Sequence, residues 1–144
     1  MLISQTAEYA LRVTAQLAIL DTQASVSREE LAKLTKIPVH FLAKIMRRLT
    51  TSKIVNARRG VNGGFILARP LNRINMLDVL QAVGYEIDVD HCAFGGSKCG
   101  SAKPCPLHGV WRDAKESFNT WAERTTLADI KRKQGIGAFP HARR

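Results

Sequence analysis

A chain of 144 residues with a formal charge of +10 has room for one compact domain and a modest core. It opens without a basic leader followed by an apolar run, and no stretch approaches the roughly 18 apolar residues of a membrane span, so a soluble, cytoplasmic protein is expected. Three cysteines cannot all pair with one another, and a disulfide framework is not expected either.

The positive charge is concentrated at the two ends. Residues 1–84 hold twelve Lys and Arg against five Asp and Glu, residues 85–124 hold five against six, and residues 125–144 hold five against one. A basic folded region is the footprint of a phosphate-binding surface, and no amphipathic anchor accompanies it that would favour a membrane.

Ala7, Ala10, Leu11, Thr14, Leu17 and Ala18 recur at helical spacing and predict a first helix over about residues 5–20, with Glu8 in a first turn that favours carboxylates. Ser27 and Glu30 form a capping box, with Val26 and Leu31 as its staple, so a second helix starts at Ser27. Ile37-Pro38 ends it, and Pro38 suits the first turn of a third helix reaching about residue 52, whose buried side carries Leu42, Ile45 and Leu49. On a wheel of about 100° per residue, His40, Lys44, Arg47 and Thr51 share the opposite face, flanked by Arg48. Two helices joined by a tight turn, the second with a polar and basic outer face, form a helix-turn-helix with a recognition helix for the major groove.

Residues 54–58 and 65–69 read as two short strands joined by Arg59-Gly60-Val61-Asn62-Gly63-Gly64. In this β-hairpin wing Arg58, Arg59 and Gly60 stand where a wing meets phosphates or the adjacent minor groove. Three helices followed by a hairpin give a winged helix-turn-helix. Asn75 then caps a short helix, with Asp78 at its third position and Ile74 and Val79 as a staple, and Gly84 ends it.

Cys92, Cys99 and Cys105 lie in a Gly- and Ser-rich stretch, and His108 follows Cys105 at the spacing that puts two side chains on one helical face. Thiolates and an imidazole in such a loop are soft ligands for one metal centre, and spacing alone admits a zinc ion as readily as an iron-sulphur cluster. No C-x-x-C is present. Nor is there a nucleotide-binding glycine fingerprint, a pair of catalytic carboxylates or a nucleophile-base motif, so no enzyme and no small-molecule substrate are expected.

A long helix is predicted over about residues 106–124. Leu107, Trp111, Ala114, Phe118 and Trp121 form a heptad seam on it, widened by Val110 and Ala122. Two tryptophans and a phenylalanine on one helix exceed what a small head covers, which points to burial against a second subunit. Residues 125–130 suggest one further short helix, and the chain ends in a basic tail.

These features together resemble the Rrf family of winged-helix transcription regulators, IscR/NsrR-like and closest to the IscR branch. The resemblance spans about residues 1–130 and rests on Glu8-Tyr9-Ala10-Leu11-Arg12, the wing from Arg59 to Pro70, the three-cysteine loop, and the run from Cys105 through His108 and Trp111 to Asp113. It implies a homodimer on a palindromic operator in double-stranded DNA, with one cluster per subunit held by Cys92, Cys99, Cys105 and His108. Glu8 of the partner subunit is the alternative fourth ligand. The six residues between Cys92 and Cys99 are one more than the IscR pattern, which leaves cluster type and fourth ligand open. A 2Fe-2S cluster is favoured over 4Fe-4S, with zinc as the alternative cofactor.

The expected organisation is a winged helix-turn-helix DNA-binding domain over 1–84, a cysteine-rich loop over 85–108, a dimerisation helix and a short following helix over 106–130, and a flexible basic tail over 131–144. The fold class is mainly α with a small β-hairpin wing. The expected function is a cluster-sensing, sequence-specific DNA-binding regulator, a repressor, responding to redox, nitric oxide or iron status. The alternative is a winged-helix regulator with a structural zinc or a cluster-free thiol switch.

Overall fold

A computed structural model of the protein describes residues 3–20, 23–86, 92, 94 and 104–133. Helix α1 (Gln5–Leu20) buries Ala7, Ala10, Val13, Leu17 and Ala18, the stripe that its periodicity predicts. Helix α2 (Arg28–Thr35) starts at Ser27, whose Oγ accepts the Glu30 N–H at 3.2 Å, and stops where Lys36 turns left-handed at φ 60°. Helix α3 (Val39–Thr51) buries Leu42, Ile45, Met46 and Leu49. Pro38 sits at its N-cap, one position before the first turn expected for it, and its carbonyl accepts the Phe41 and Leu42 N–H groups.

Strands β1 (Val55–Arg58) and β2 (Gly64–Leu67) pair antiparallel, with Val55 opposite Leu67 and Arg58 opposite Gly64. The hairpin is shorter at its base than expected, since Pro70 turns the chain into a 3-10 turn at Leu71–Arg73. A third segment holds it from the side. Val26 and Phe65 exchange backbone hydrogen bonds at 2.9 and 2.8 Å, so the lead into α2 is stitched to the wing. Gly64, at φ +153°, makes that approach possible: a Cβ there would stand 2.3 Å from the Val26 carbonyl oxygen.

Helix α4 (Met76–Ala82) carries the full capping box of Asn75 and Asp78. Helix α5 (His108–Arg124) begins two residues after the expected start, and α6 (Leu127–Arg132) has a second complete box, Thr126 with Asp129. The two boxes face each other. Met76 N–H donates to Thr125 O at 2.9 Å and Leu127 N–H to Ile74 O at 3.0 Å, which ties the chain after α5 back onto the head. Leu127 is buried in the same core as Ala10, Leu31, Leu49, Val79 and Leu80. The molecule is thus a mainly helical winged-helix fold with a two-stranded hairpin.

Within this chain the α5 seam is only partly covered. Ala122 is buried, and Phe118 is half-buried against Tyr85, their ring centroids 6.2 Å apart. Trp121 is 42 % exposed and Val110 73 %. Leu107 and Ala114 are exposed as well.

Candidate functional site

The amphipathic pattern of α3 forces its polar residues outward. His40, Lys44, Arg47 and Thr51 are all exposed on the face opposite Leu42, Ile45 and Leu49, so the helix brings the four expected residues together. Thr51 Oγ1 donates to the Arg47 carbonyl at 3.0 Å. Arg48 is exposed but already engaged: its Nη1 donates at 2.7 Å to the carbonyl of Val83, the C-cap of α4. That bond ties α3 to α4. It occupies part of a guanidinium expected only to flank the DNA face.

Arg58, Arg59 and Gly60 are exposed on the wing. Arg58 Nη1 donates to the Gln23 carbonyl at 3.3 Å, and Ser25 Oγ donates to the carbonyl of Asn62, so the loop before α2 braces the wing at two points. Val61, passed over in reading the sequence, stands fully exposed at the tip beside Arg59. An apolar residue inside an Arg- and Gly-rich turn was the signal available for it. A wing whose apex carries a cation and an apolar side chain suits a minor groove, where Arg meets the narrow wall and apolar groups pack against sugars and base steps.

Cys92 and Cys105 lie together just before the start of α5. Cys92 is buried and Cys105 half-buried, and their Sγ atoms are 4.0 Å apart. His108 is the first residue of α5, and its N–H donates to the Cys105 carbonyl at 3.0 Å, so a backbone turn joins the two residues. Phe94 meets Trp111 edge-on, ring centroids 6.3 Å apart. Cys99 lies outside the described residues, and among the described residues no three His, Cys, Asp or Glu side chains converge on one point. Glu8 forms an ion pair with Arg12 of its own helix.

The comparisons agree on family and fold. The Rrf2 family profile, described as iron-dependent transcriptional regulator, matches residues 3–133. An Aquifex aeolicus protein described as an HTH-type transcriptional regulator is 33 % identical over 145 residues, covering 99 % of this chain and 100 % of its own length. The HTH-type transcriptional regulator IscR of Xenorhabdus nematophila is 24 % identical over 136 residues, covering 94 % of this chain and 82 % of its own. Among solved structures, CymR, the global cysteine regulator of B. subtilis, superposes with a TM-score of 0.78 at 19 % identity, covering 93 % of this chain and 98 % of that one. IscR of T. potens does so with 0.74 at 20 % identity, covering 97 % and 93 %.

Proposed function

The chain belongs to the Rrf2 family of DNA-binding transcriptional regulators, and from that premise we propose that this member is a homodimeric, sequence-specific repressor gated by an iron-sulphur cluster. The observation that carries the proposal is the Cys92 to Cys105 separation of 4.0 Å at the foot of α5. Two thiolates on one tetrahedral metal atom, with bonds of about 2.3 Å, stand about 3.8 Å apart. The donor set fits a soft metal. In a four-iron cube each cysteine takes its own corner and the sulphurs diverge, so the spacing favours a two-iron cluster, with Cys99 and His108 completing the set.

When bound, the cluster supplies a centre sensitive to electrons, nitric oxide and iron supply. The chain's own residues do the rest. By holding a cluster between them, Cys92 and Cys105 would tie the chain on both sides of the loop to the start of α5, and α5 is joined at its other end to the head through Met76 and Thr125. Imidazole as fourth ligand is favoured over Glu8 of the partner subunit, because Glu8 already has a cationic partner in Arg12. The exposed Leu107, Val110 and Trp121 supply an apolar face for the second subunit. Two heads related by a two-fold axis then meet a palindromic operator, with His40, Lys44, Arg47 and Thr51 at base edges and Arg58, Arg59 and Gly60 at the backbone and minor groove. Arg48 adds one phosphate contact from the amino groups it does not give to Val83.

A structural zinc is the second reading, since a single ion satisfies the same sulphur spacing. Anaerobic purification without added metal, followed by iron, sulphide and zinc analysis, separates the two. Matched iron and sulphide that disappear in Cys92→Ala and Cys105→Ala are the expected result. A colourless protein with stoichiometric zinc overturns the cluster reading, and equal operator affinity of loaded and metal-free protein overturns the gating.

A further inference from the structure

A continuous set of contacts joins the first turn of α1 to α3. Glu8 and Arg12 pair one helical turn apart. Arg12 Nη1 donates at 3.4 Å to the carbonyl of Thr35, the last residue of α2 and one of the acceptors that a helix end leaves without an intrahelical donor. Lys36, directly after it, makes the left-handed turn that aims α3. The Arg12 guanidinium carbon also lies 5.4 Å from the Tyr9 ring centroid. Tyr9 is tied at its hydroxyl to Gln5 Nε2 at 3.1 Å, and its ring meets Phe41 edge-on with centroids 6.1 Å apart. Phe41 in turn lies 4.3 Å, ring to ring, from His40.

We propose that Arg12 is a positioning residue for base readout: with Glu8 and Tyr9 it sets both the helix-turn-helix turn and the first turn of α3, and so fixes where the His40 imidazole meets the major groove. The two anchors are independent, one to the backbone at the end of α2 and one through rings to the start of α3. A hydrogen bond to a base edge loses its value over a few tenths of an ångström or a few tens of degrees, whereas a lysine or arginine tracks a phosphate over a wider range. Loosening the clamp therefore costs discrimination between sequences and spares nonspecific affinity. The inference rests on α3 being the base-reading helix.

The test uses the full chain and a pool of duplexes randomised over the centre, from which the preferred sequence is selected. Affinities for that sequence and for an unrelated duplex are then measured against salt concentration. Arg12→Ala and Arg12→Lys both lower the ratio of the two affinities by roughly tenfold, because lysine lacks the planar fork that serves two partners at once. The relaxed positions are those that His40→Ala also relaxes, and the Arg12→Ala/His40→Ala double variant is no less selective than His40→Ala. The salt slope stays unchanged. A slope reduced by about one with selectivity intact makes Arg12 a phosphate contact and overturns the proposal, as do additive losses in the double variant. Unaltered preference in His40→Ala overturns the α3 assignment itself. Altered preference there with unaltered preference in the Arg12 variants overturns only the positioning role. Should Arg12→Ala not fold, Glu8→Gln and Tyr9→Leu carry the same expectation at smaller amplitude.

Discussion

Replacing Gly64 by alanine tests the stitch between the wing and the lead into α2. At φ +153° an added Cβ would meet the Val26 carbonyl oxygen at 2.3 Å, its carbon at 2.5 Å and the Ser27 nitrogen at 2.9 Å, all backbone atoms that cannot rotate away. Relief requires the hairpin to move off residue 26, which removes the Val26 and Phe65 hydrogen bonds at about 1 kcal/mol each. An alanine held at positive φ adds about 1 kcal/mol or more of backbone strain. The sum is about 3 kcal/mol, or a melting midpoint lowered by about 10 °C for a domain of this size. Gly60→Ala is the internal standard. It also has positive φ, +110°, but nothing lies within 4 Å of its Cβ position, so only the strain of about 1 kcal/mol applies. Thermal and urea melts followed by circular dichroism read both variants. Equal destabilisation by the two would refute the claim that the Val26 contact, rather than torsion, governs Gly64.

Other consequences are as direct. Arg59→Ala weakens binding to all duplexes alike and lowers the salt slope by about one, read by fluorescence anisotropy over a salt series. Trp121→Lys sets a charge in the uncovered seam of α5, and sedimentation velocity should show the proposed dimer shift to monomer with the monomer's helix content intact. The Asp129 carboxylate is held below its ordinary pKa of 3.8 by the Thr126 backbone N–H, then by the Thr126 hydroxyl and the cations Arg132 and Lys133. Because the folded value is the lower one, its stabilising contribution is complete above the unfolded value and fades as pH falls through the folded one. The melting gap between the native chain and Asp129→Asn should accordingly be present at neutral pH and close under acid. A constant gap would assign the effect to shape.

The helices were legible where a short polar side chain announces a start. Ser27 and Asn75 do so: Asn75 closes the full box with Asp78, whereas Ser27 caps α2 through the Glu30 N–H alone, without the reciprocal bond from the Glu30 side chain that a box requires. Thr126 with Asp129 carries the same signal, and the helix it opens runs two residues beyond the expected end. Contacts between distant segments were not legible, because nothing in the periodicity of α3 distinguishes an arginine free for phosphate from one bonded to Val83. Likewise the short apolar run that marks β2 says nothing of a third partner at Val26. The heptad spacing of Leu107, Trp111, Ala114, Phe118 and Trp121 predicts one continuous apolar face on α5. Among the described residues, it is the Phe118 and Ala122 end that packs into the core of the head. Cysteine spacing pointed to one centre, and two of the three sulphurs do lie side by side.

The bond between Met76 N–H and Thr125 O pins the C-terminal end of α5 to the head, while Cys105 and His108 stand at the other end of its 17 residues. A helix of that length is a rod of about 25 Å. Pivoting it by about 5° at the pinned end swings the free end by about 2 Å, half the present gap between the Cys92 and Cys105 sulphurs. The geometry is that of a long lever with its fulcrum in the hydrophobic core. Small rotations at the fulcrum would separate the thiols, and the proposed metal, by holding them together, would deny the head those rotations.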